Sequence, residues 1–592
     1  MCQFIEQMEG LRSSSALSVA NEKFSDFNKY MHIPSQMDAE LKKVIDSASQ
    51  KKKSLVLVCG NSGDGKSHLI ASFINEGIIS SEDFDVYIDA TSSDKKGKKA
   101  NEILRDKLDE FSDEKMCDGC EYRLIVAINL GVLNDFIKNY ETEYTLLKEY
   151  VEGQGLFDNM PSWKYATIRK QEAKNDLYSI GHVDFTSFHR YSINPNGIDD
   201  SFFFDLLNKI INASNDNPVY NAFSTSCQNC QYRDNCPVFW NYKELLTNEV
   251  FKKHIIDTLV RVIIKGNLSP SIREINDFFY EIIIGRTFDE RDIGNSSDPV
   301  KSLKHFIRNQ SLSLLYENTE GLLHYTAKED MLNDPARRSD ERIISLNLKP
   351  DFDSWLKDEA VTCSPIYTHI YHCILHCKTV AAKAYKEHEE EIKQAVFKLF
   401  IRYEEISKAS SDEKYNSYLS YLYHYNSGHE SKCKELIQLI EECVFLWNGR
   451  LTSKNGTNIK HGVITNRNSS KYYLFKKLEI SFAKDNSIQE LTDPGSYSNF
   501  ASTMRFGFKL KDGNDVVTLD IDYELYSLLN EIKRGFMPSV SDRKRNVEYD
   551  NFVRKLIARS NSDTYVYARN EEGKTYRISK DDFDNYTFDY EV

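Results

Sequence analysis

Between residues 55 and 211 the apolar positions switch repeatedly between two periods. The run Leu55-Val56-Leu57-Val58-Cys59 has no polar interruption, as in a strand buried on both faces. Beyond it the pattern predicts a helix over 67–75, with Leu69, Ile70 and Phe73 on one face. A strand is expected at 85–90, a helix at 100–111 and a strand at 123–129. Residues 151–183, with Gly153, Gly155 and Pro161, read as an insertion, followed by a strand at 185–193 and an apolar helix at 202–211. Such alternation predicts an α/β domain: a parallel sheet with helices on both faces and ligands at the carboxyl ends of its strands.

The first strand runs directly into Gly60-Asn61-Ser62-Gly63-Asp64-Gly65-Lys66-Ser67-His68. This is a complete G-x-x-x-x-G-K-S, the P-loop of nucleotide-binding proteins. Its glycines let successive N–H groups turn toward a phosphate, and the following helix points its positive end at the same anion. Lys66 is expected to reach the β- and γ-phosphates of ATP, and the Ser67 hydroxyl to ligate Mg²⁺. The strand-loop-helix setting is the one the motif needs.

The Mg²⁺ side is less regular. Asp89, in Ile88-Asp89-Ala90-Thr91, is an acidic strand end only 23 residues after Lys66. The later strand ends in Asn129, where an Asp-Glu pair would be expected. Two assignments follow: Asp89 holds the metal while Asn129 polarises the attacking water from a neighbouring strand, or Asn129 itself stands on the metal side. The first is preferred. Arg273 is a candidate γ-phosphate contact from the lid, or else a surface partner of Glu274 or Asp277. Arg337 and Arg338 are weaker candidates for fingers acting between subunits of a homo-oligomer.

The remaining pattern divides the chain. Residues 1–45 read as a helical lead-in packed on the NTPase core, 46–240 as the P-loop domain, and 241–295 as an AAA-like helical lid entered at Ser269-Pro270. Residues 296–450 read as helical, with Glu389–Tyr403 the clearest amphipathic stretch, and 451–592 as a separate α+β domain. The latter has expected strands at 472–475, 516–521 and 565–567, a turn at 570–573 and a helix at 523–533. At 592 residues the chain exceeds one core, and length alone suggests about three or four domains.

Composition narrows the partners. A formal charge of −14 argues against coating nucleic acid, which needs a positive field, so any DNA contact is local. Lys51–Lys53, Lys95–Lys99 and Arg543–Arg545 are short basic runs that read as solvated surface. With no 18-residue apolar run and no signal-like start, the expectation is a cytoplasmic protein without membrane contact. Twelve cysteines are too sparse for a disulfide scaffold. Cys227, Cys230 and Cys236 nevertheless form a knuckle that suits Zn²⁺, with an iron–sulfur cluster as the alternative. Its fourth ligand is missing locally; Cys117 and Cys120, or His189, are the candidates. His369, Cys373 and Cys377, with His372 and His376, read as helix packing. Asp520 and Asp522 are the suggestive carboxylate pair outside the loop domain, and they read as the solvent face of a strand. No nuclease, metallohydrolase or serine-hydrolase pattern is present in the sequence.

Several ordered segments together resemble the F-type ATPase subunits, the DptF family, of DNA phosphorothioation-dependent restriction systems. They are Phe27-x-x-Tyr30-Met31-His32-Ile33-Pro34, the Gly60–Leu69 segment, Asp89-Ala90-Thr91, and Ala127-Ile128-Asn129-Leu130-Gly131-Val132-Leu133-x-x-Phe136. The Cys227, Cys230, Cys236-Pro237 run and the Arg273-Glu274 helix follow in the same order, so the resemblance spans about residues 24–285. It implies a defence role in which the chain works with G- and H-type subunits to restrict DNA lacking backbone sulfur, with nuclease or helicase activity lying partly in a partner. One departure is Ser92, where the family pattern carries a glutamate after Asp-Ala-Thr. If that glutamate activates water, this chain binds ATP more readily than it turns ATP over.

Overall fold

In a computed structural model, the described residues are 2–13, 26–61, 63–88, 100–169, 177–285, 288, 293, 298–333, 339–349, 351–406, 412–451, 461–466, 472–491, 497–511, 513–560, 565–570, 572–580 and 585–591. Two short helices, α1 (Gln3–Ser13) and α2 (Asp26–Met31), precede α3 (Gln36–Ser49), which leads into β1 (Lys53–Cys59). The loop domain continues with α4 (Lys66–Asn75), β2 (Asp85–Tyr87), α5 (Ala100–Leu108), β3 (Tyr122–Ile128), α6 (Leu130–Asn139), α7 (Thr145–Gly153), α8 (Ser162–Arg169) and β4 (Tyr178–Asp184). These strands form a parallel sheet in the order β2-β3-β1-β4.

All seven residues of β1 are buried, which explains its uninterrupted apolar run. Its alternating side chains serve two cores. Leu55, Leu57 and Cys59 join Leu124, Val126 and Ile128 with residues of α5, α6 and α7 on one face. Val56 and Val58 join Ile125 and Ala127 with residues of α3 and α4 on the other. At the strand's start Lys53, only 1 % exposed, donates to Asp118 (2.8 Å), Glu110 (3.4 Å) and the Lys115 carbonyl (2.8 Å). The third lysine of that basic run is thus an internal tie, whereas surface was expected.

The sequence expectation fails most clearly at β4. A strand over 185–193 is replaced by β4, a turn at 185–187, and β5 (Phe188–Asn194), so part of the supposed insertion is the edge strand of the parallel sheet. Tyr178-Ser179-Ile180-Gly181-His182 is too polar to announce a strand, and these five residues are only half-buried at the edge of the sheet. Gly181 is there because α3 crosses it closely: a Cβ would lie 2.6 Å from Val44 Cγ1.

After β6 (Gly197–Asp199), helices α9 (Ser201–Ile211), α10 (Pro218–Gln228), α11 (Pro237–Thr247), α12 (Glu249–Lys265) and α13 (Ile272–Ile283) follow. The middle of the chain is helical from Pro299–Arg308 to Lys434–Leu446, and the expected amphipathic stretch lies inside the helix Ala382–Ile406. The last part is rich in strands: β7 (Gly462–Asn466), β8 (Tyr472–Lys477), β9 (Ile480–Phe482), β10 (Tyr497–Asn499), β11 (Met504–Leu510), β12 (Val517–Ile521), β13 (Tyr565–Asn570), β14 (Thr575–Lys580) and β15 (Tyr586–Glu591). They form the sheets β12-β11-β9 and β15-β14-β13-β8-β7, with helices Tyr523–Arg534 and Val547–Ala558 alongside.

This region is not set apart from the rest. One buried cluster runs from Phe4 through α9–α13 and the middle helices to Leu556. β10 also leaves its neighbours and pairs antiparallel with β5, in the sheet β10-β5-β6. Ser162 Oγ donates to the Asn499 carbonyl (2.6 Å), and Asn159 Nδ2 donates to Thr503 Oγ (2.9 Å). Residues 497–503 therefore reach the loop domain, a link that no local pattern signals. Among the described residues no helix is long and apolar enough to cross a membrane.

Candidate functional site

Three strand ends meet at the Gly60–Ser67 loop. In register, Cys59 of β1 stands opposite Ile128 of β3 and Asp184 of β4. The bonds Gly60 N to Ile128 O (3.1 Å) and Phe185 N to Cys59 O (2.9 Å) continue that pairing into the loop. Asn129 and Asp184 therefore flank the loop's entrance. The loop returns on Gly63 and Gly65, at φ +87° and +96°, conformations that suit glycine. Gly65 caps α4, whose first N–H groups have no intrahelical acceptor and face the loop's concavity with the positive end of the helix dipole.

Lys66 lies inside the loop, its Nζ donating to the carbonyls of Gly60 (2.8 Å) and Asn61 (2.6 Å). Ser67 is in the first turn of α4, where the motif requires it. Asp64 has another role. Buried at 6 % exposure, its carboxylate accepts from Asn61 N, and burial pushes its pKa upward despite that bond. It shapes the loop from within.

Arg190 of β5, which the sequence reading passed over, braces the loop from below by donating to the Asp64 carbonyl at 2.7 Å. Burial pushes its pKa down to about 10, partly offset by Asp64. Asp184 was also missed, because β4 itself was. Its carboxylate accepts from Thr186 N (2.9 Å), Thr186 Oγ (2.7 Å) and Ser187 Oγ, and burial raises its pKa against those bonds. An acidic residue closing a strand beside β1 was the available signal.

The helix that begins near Ser269 starts two residues later than expected, because Ser271 and Glu274 form a reciprocal capping box. Ser271 Oγ accepts from Glu274 N (3.2 Å), and the Glu274 carboxylate accepts from Ser271 N (2.8 Å). This end of α13 presses on the loop: a Cβ on Gly63 would stand 3.0 Å from Ser271 Cβ and 3.8 Å from Arg273 Cβ. Arg273 is thereby placed beside the loop. Glu274 is engaged in the cap, and Asp277 pairs with Arg12 at 3.2 Å.

Asn129 follows β3 and caps α6, its Oδ1 accepting from Gly131 N at 2.8 Å. That bond fixes the amide so that Nδ2 is its donor. A cavity of about 450 Å³ opens nearby, lined among others by Leu130, Gly131, Asp184, Ser187, His189 and Phe500. Ser62, Asp89 and Ser92 lie outside the described residues, as do Arg337 and Arg338. What is described of the Asp89 segment is β2, which β3 separates from β1.

His68 turns toward the lead-in: its Nε2 is 3.3 Å from His32 Nδ1, and His32 pairs with Asp38 at 3.0 Å. Burial, with the neighbouring His32, pushes His68 down to about 4, and burial does the same to His189, whose Nε2 donates to the Phe500 carbonyl at 3.0 Å. Both are held neutral in the fold, so the unfolded chain binds more protons below the ordinary histidine pKa of about 6.5. Their contribution is complete above pH 6.5 and is lost as the pH falls toward 4. Denaturation midpoints measured across that window are expected to fall less steeply with acidification for His68→Gln than for the wild type; parallel slopes would remove His68 from the effect.

Other candidates resolve into structural roles. Asp520 pairs with Arg505 across β12 and β11 (2.6 and 2.8 Å), and Asp522 caps the helix Tyr523–Arg534 through Leu525 N (2.8 Å). His369 lies 3.2 Å from Cys373 and packs between Trp240 and Phe306. Cys117 and Cys120 are exposed in the turn before β3, and His189 is occupied by Phe500. Among the described residues neither stands with Cys227, Cys230 and Cys236 in a group set to hold a metal ion, and it is the Cys2 thiol that raises the pKa of Cys227. Among the described residues no group of three or more His, Cys, Asp or Glu is already set to hold a metal ion.

The geometry thus defines a parallel α/β sheet whose G-x-x-x-x-G-K-S loop is closed by a helix from a helical region. No family model, no curated protein and no solved structure matches the chain.

Proposed function

We propose that the chain is an ATP-binding P-loop protein with Mg²⁺ as cofactor, and that it hydrolyses ATP as a subunit of a phosphorothioation-dependent DNA restriction complex. The observation that carries the nucleotide reading is the Gly60–Ser67 loop, with Lys66 inside it and α13 against Gly63. The loop's N–H groups and Lys66 would hold the phosphates, and Ser67 with Asp89 would hold Mg²⁺. Asn129 follows the strand next to β1, and an uncharged amide donor there suits the γ-phosphate or the attacking water better than a metal. Arg273 would add a cation from the lid.

The restriction role, the G- and H-type partners and DNA engagement through the complex rest on the sequence resemblance alone. In that setting nucleotide state would control assembly or DNA engagement. The second reading is a nucleotide-dependent scaffold or sensor with little turnover, favoured by Asn129 and Ser92 where acidic residues would activate water.

Phosphate release from ATP, with and without DNA and the partner subunits, separates the two: tight binding with no release under any condition selects the scaffold. If Asn129 acts in turnover, Asn129→Ala is expected to lower kcat about 100-fold, as for other preorganised donors, while nucleotide affinity changes only slightly. Losing the cap of α6 would cost about 1 kcal/mol of stability. Unchanged kcat would reduce Asn129 to a helix cap.

A further inference from the structure

Cys227 lies in the last turn of α10, Cys230 in the turn that follows, and Cys236 at the cap of α11. Backbone bonds from Cys230 N to Cys227 O (3.4 Å), Arg233 N to Cys230 O (3.2 Å) and Cys236 N to Arg233 O (3.2 Å) wind this stretch into a knuckle. The N-terminal helix is fastened against it. Phe4 packs edge-on to Phe223 (5.4 Å) and Tyr242 (4.9 Å), and Ser226 Oγ donates to Gln3 Oε1 at 3.3 Å. Gln3 follows Cys2 and Ser226 precedes Cys227, so that contact brings the two cysteines together, and the Cys2 thiol raises the pKa of Cys227. Cys236 is close enough to feel both Cys2 and Cys230.

We propose that Cys2, Cys227, Cys230 and Cys236 form a four-thiolate site for a structural zinc ion that ties α1 to the α10–α11 knuckle. Two pairs of thiols, one pair separated by two residues, are a donor set that zinc favours in tetrahedral coordination. A divalent cation bound by thiols displaces their protons, so zinc uptake here would release protons. Cys230 is exposed whereas Cys227 is buried, and among the described residues no three of these sulfurs yet surround one point, so binding would draw Cys230 inward. The neighbouring helix Pro365–Val380 brings a competing donor, since Cys373 approaches Asn235 of the knuckle at 3.9 Å beside His369.

The test is elemental analysis of the full chain purified without chelator. About one zinc per chain is expected, falling at least tenfold in Cys2→Ser and Cys230→Ser and holding in His369→Ala and Cys117→Ser. Alkylation with iodoacetamide, read by mass spectrometry, keeps the proposal testable if Cys2→Ser does not fold. In the wild type all four cysteines should be protected together and become reactive together when zinc is stripped by a chelator. A wild type that is metal-free and takes up no added zinc, iron in place of zinc, a Cys2–Cys227 disulfide, or full zinc retention by Cys2→Ser would each overturn it. Nucleotide binding enters none of these readouts.

Discussion

Lys66→Ala is expected to weaken binding of Mg²⁺-ATP about 100-fold while leaving the fold intact. The ammonium lies within the loop, 2.8 and 2.6 Å from the carbonyls of Gly60 and Asn61, and a phosphate offers it a better acceptor than either. Charge-assisted bonds of this kind are worth about 1.5–3 kcal/mol each, and 3 kcal/mol corresponds to roughly two orders of magnitude in affinity. Stability should change little, because Lys66 is in the first turn of α4 and alanine suits a helix. Titration of a fluorescent ATP analogue into both proteins, with far-UV circular dichroism as the control, measures this. Equal affinities would take Lys66 out of the site.

The second large effect is on stability and lies far from the loop. Arg402→Ala should destabilise the protein by about 3–5 kcal/mol, the cost of orphaning one member of a buried ion pair. Arg402 is 2 % exposed and donates to Asp330 (Nη2, 2.7 Å), which is itself 6 % exposed, and to Glu317 (Nη1, 2.7 Å). It also lies over the Tyr316 ring at 5.4 Å. Although burial alone would depress the guanidinium's pKa, Asp330 and Glu317 raise it, so the pair is well matched in the fold. Alanine would leave Asp330 buried and facing a void. Glu317→Gln is the useful contrast, since Glu317 is about half exposed and a solvated partner contributes little. Urea midpoints should place Glu317→Gln near the wild type and Arg402→Ala well below it; coincident curves for all three would contradict the account.

The loop and its flanking elements were legible because their signals are local. Four fixed residues identify Gly60–Ser67, and Leu55–Cys59 of β1 is apolar throughout because both of the strand's faces meet helices. The start of α13 was legible to within two residues, blurred by Pro270, which imitates a first turn next to the true capping box at Ser271 and Glu274. What sequence could not give was distant. β4 hides behind polar residues and a glycine demanded by Val44, some 137 residues earlier, and with β4 went Asp184 and the bracing role of Arg190. The same distance hid Cys2, more than 220 residues from the knuckle, and the pairing of β10 with β5, which couples residues 497–503 to the loop domain. In each case the partner is set by tertiary packing, to which periodicity is blind.

The central claim is that this loop binds a nucleotide, and calorimetric titration of the full chain with ATP in the presence of Mg²⁺ tests it most directly. One saturable site per chain is expected, weakened when Mg²⁺ is withheld and competed by ADP. No binding at millimolar ATP, or binding that persists undiminished in Lys66→Ala, would contradict it.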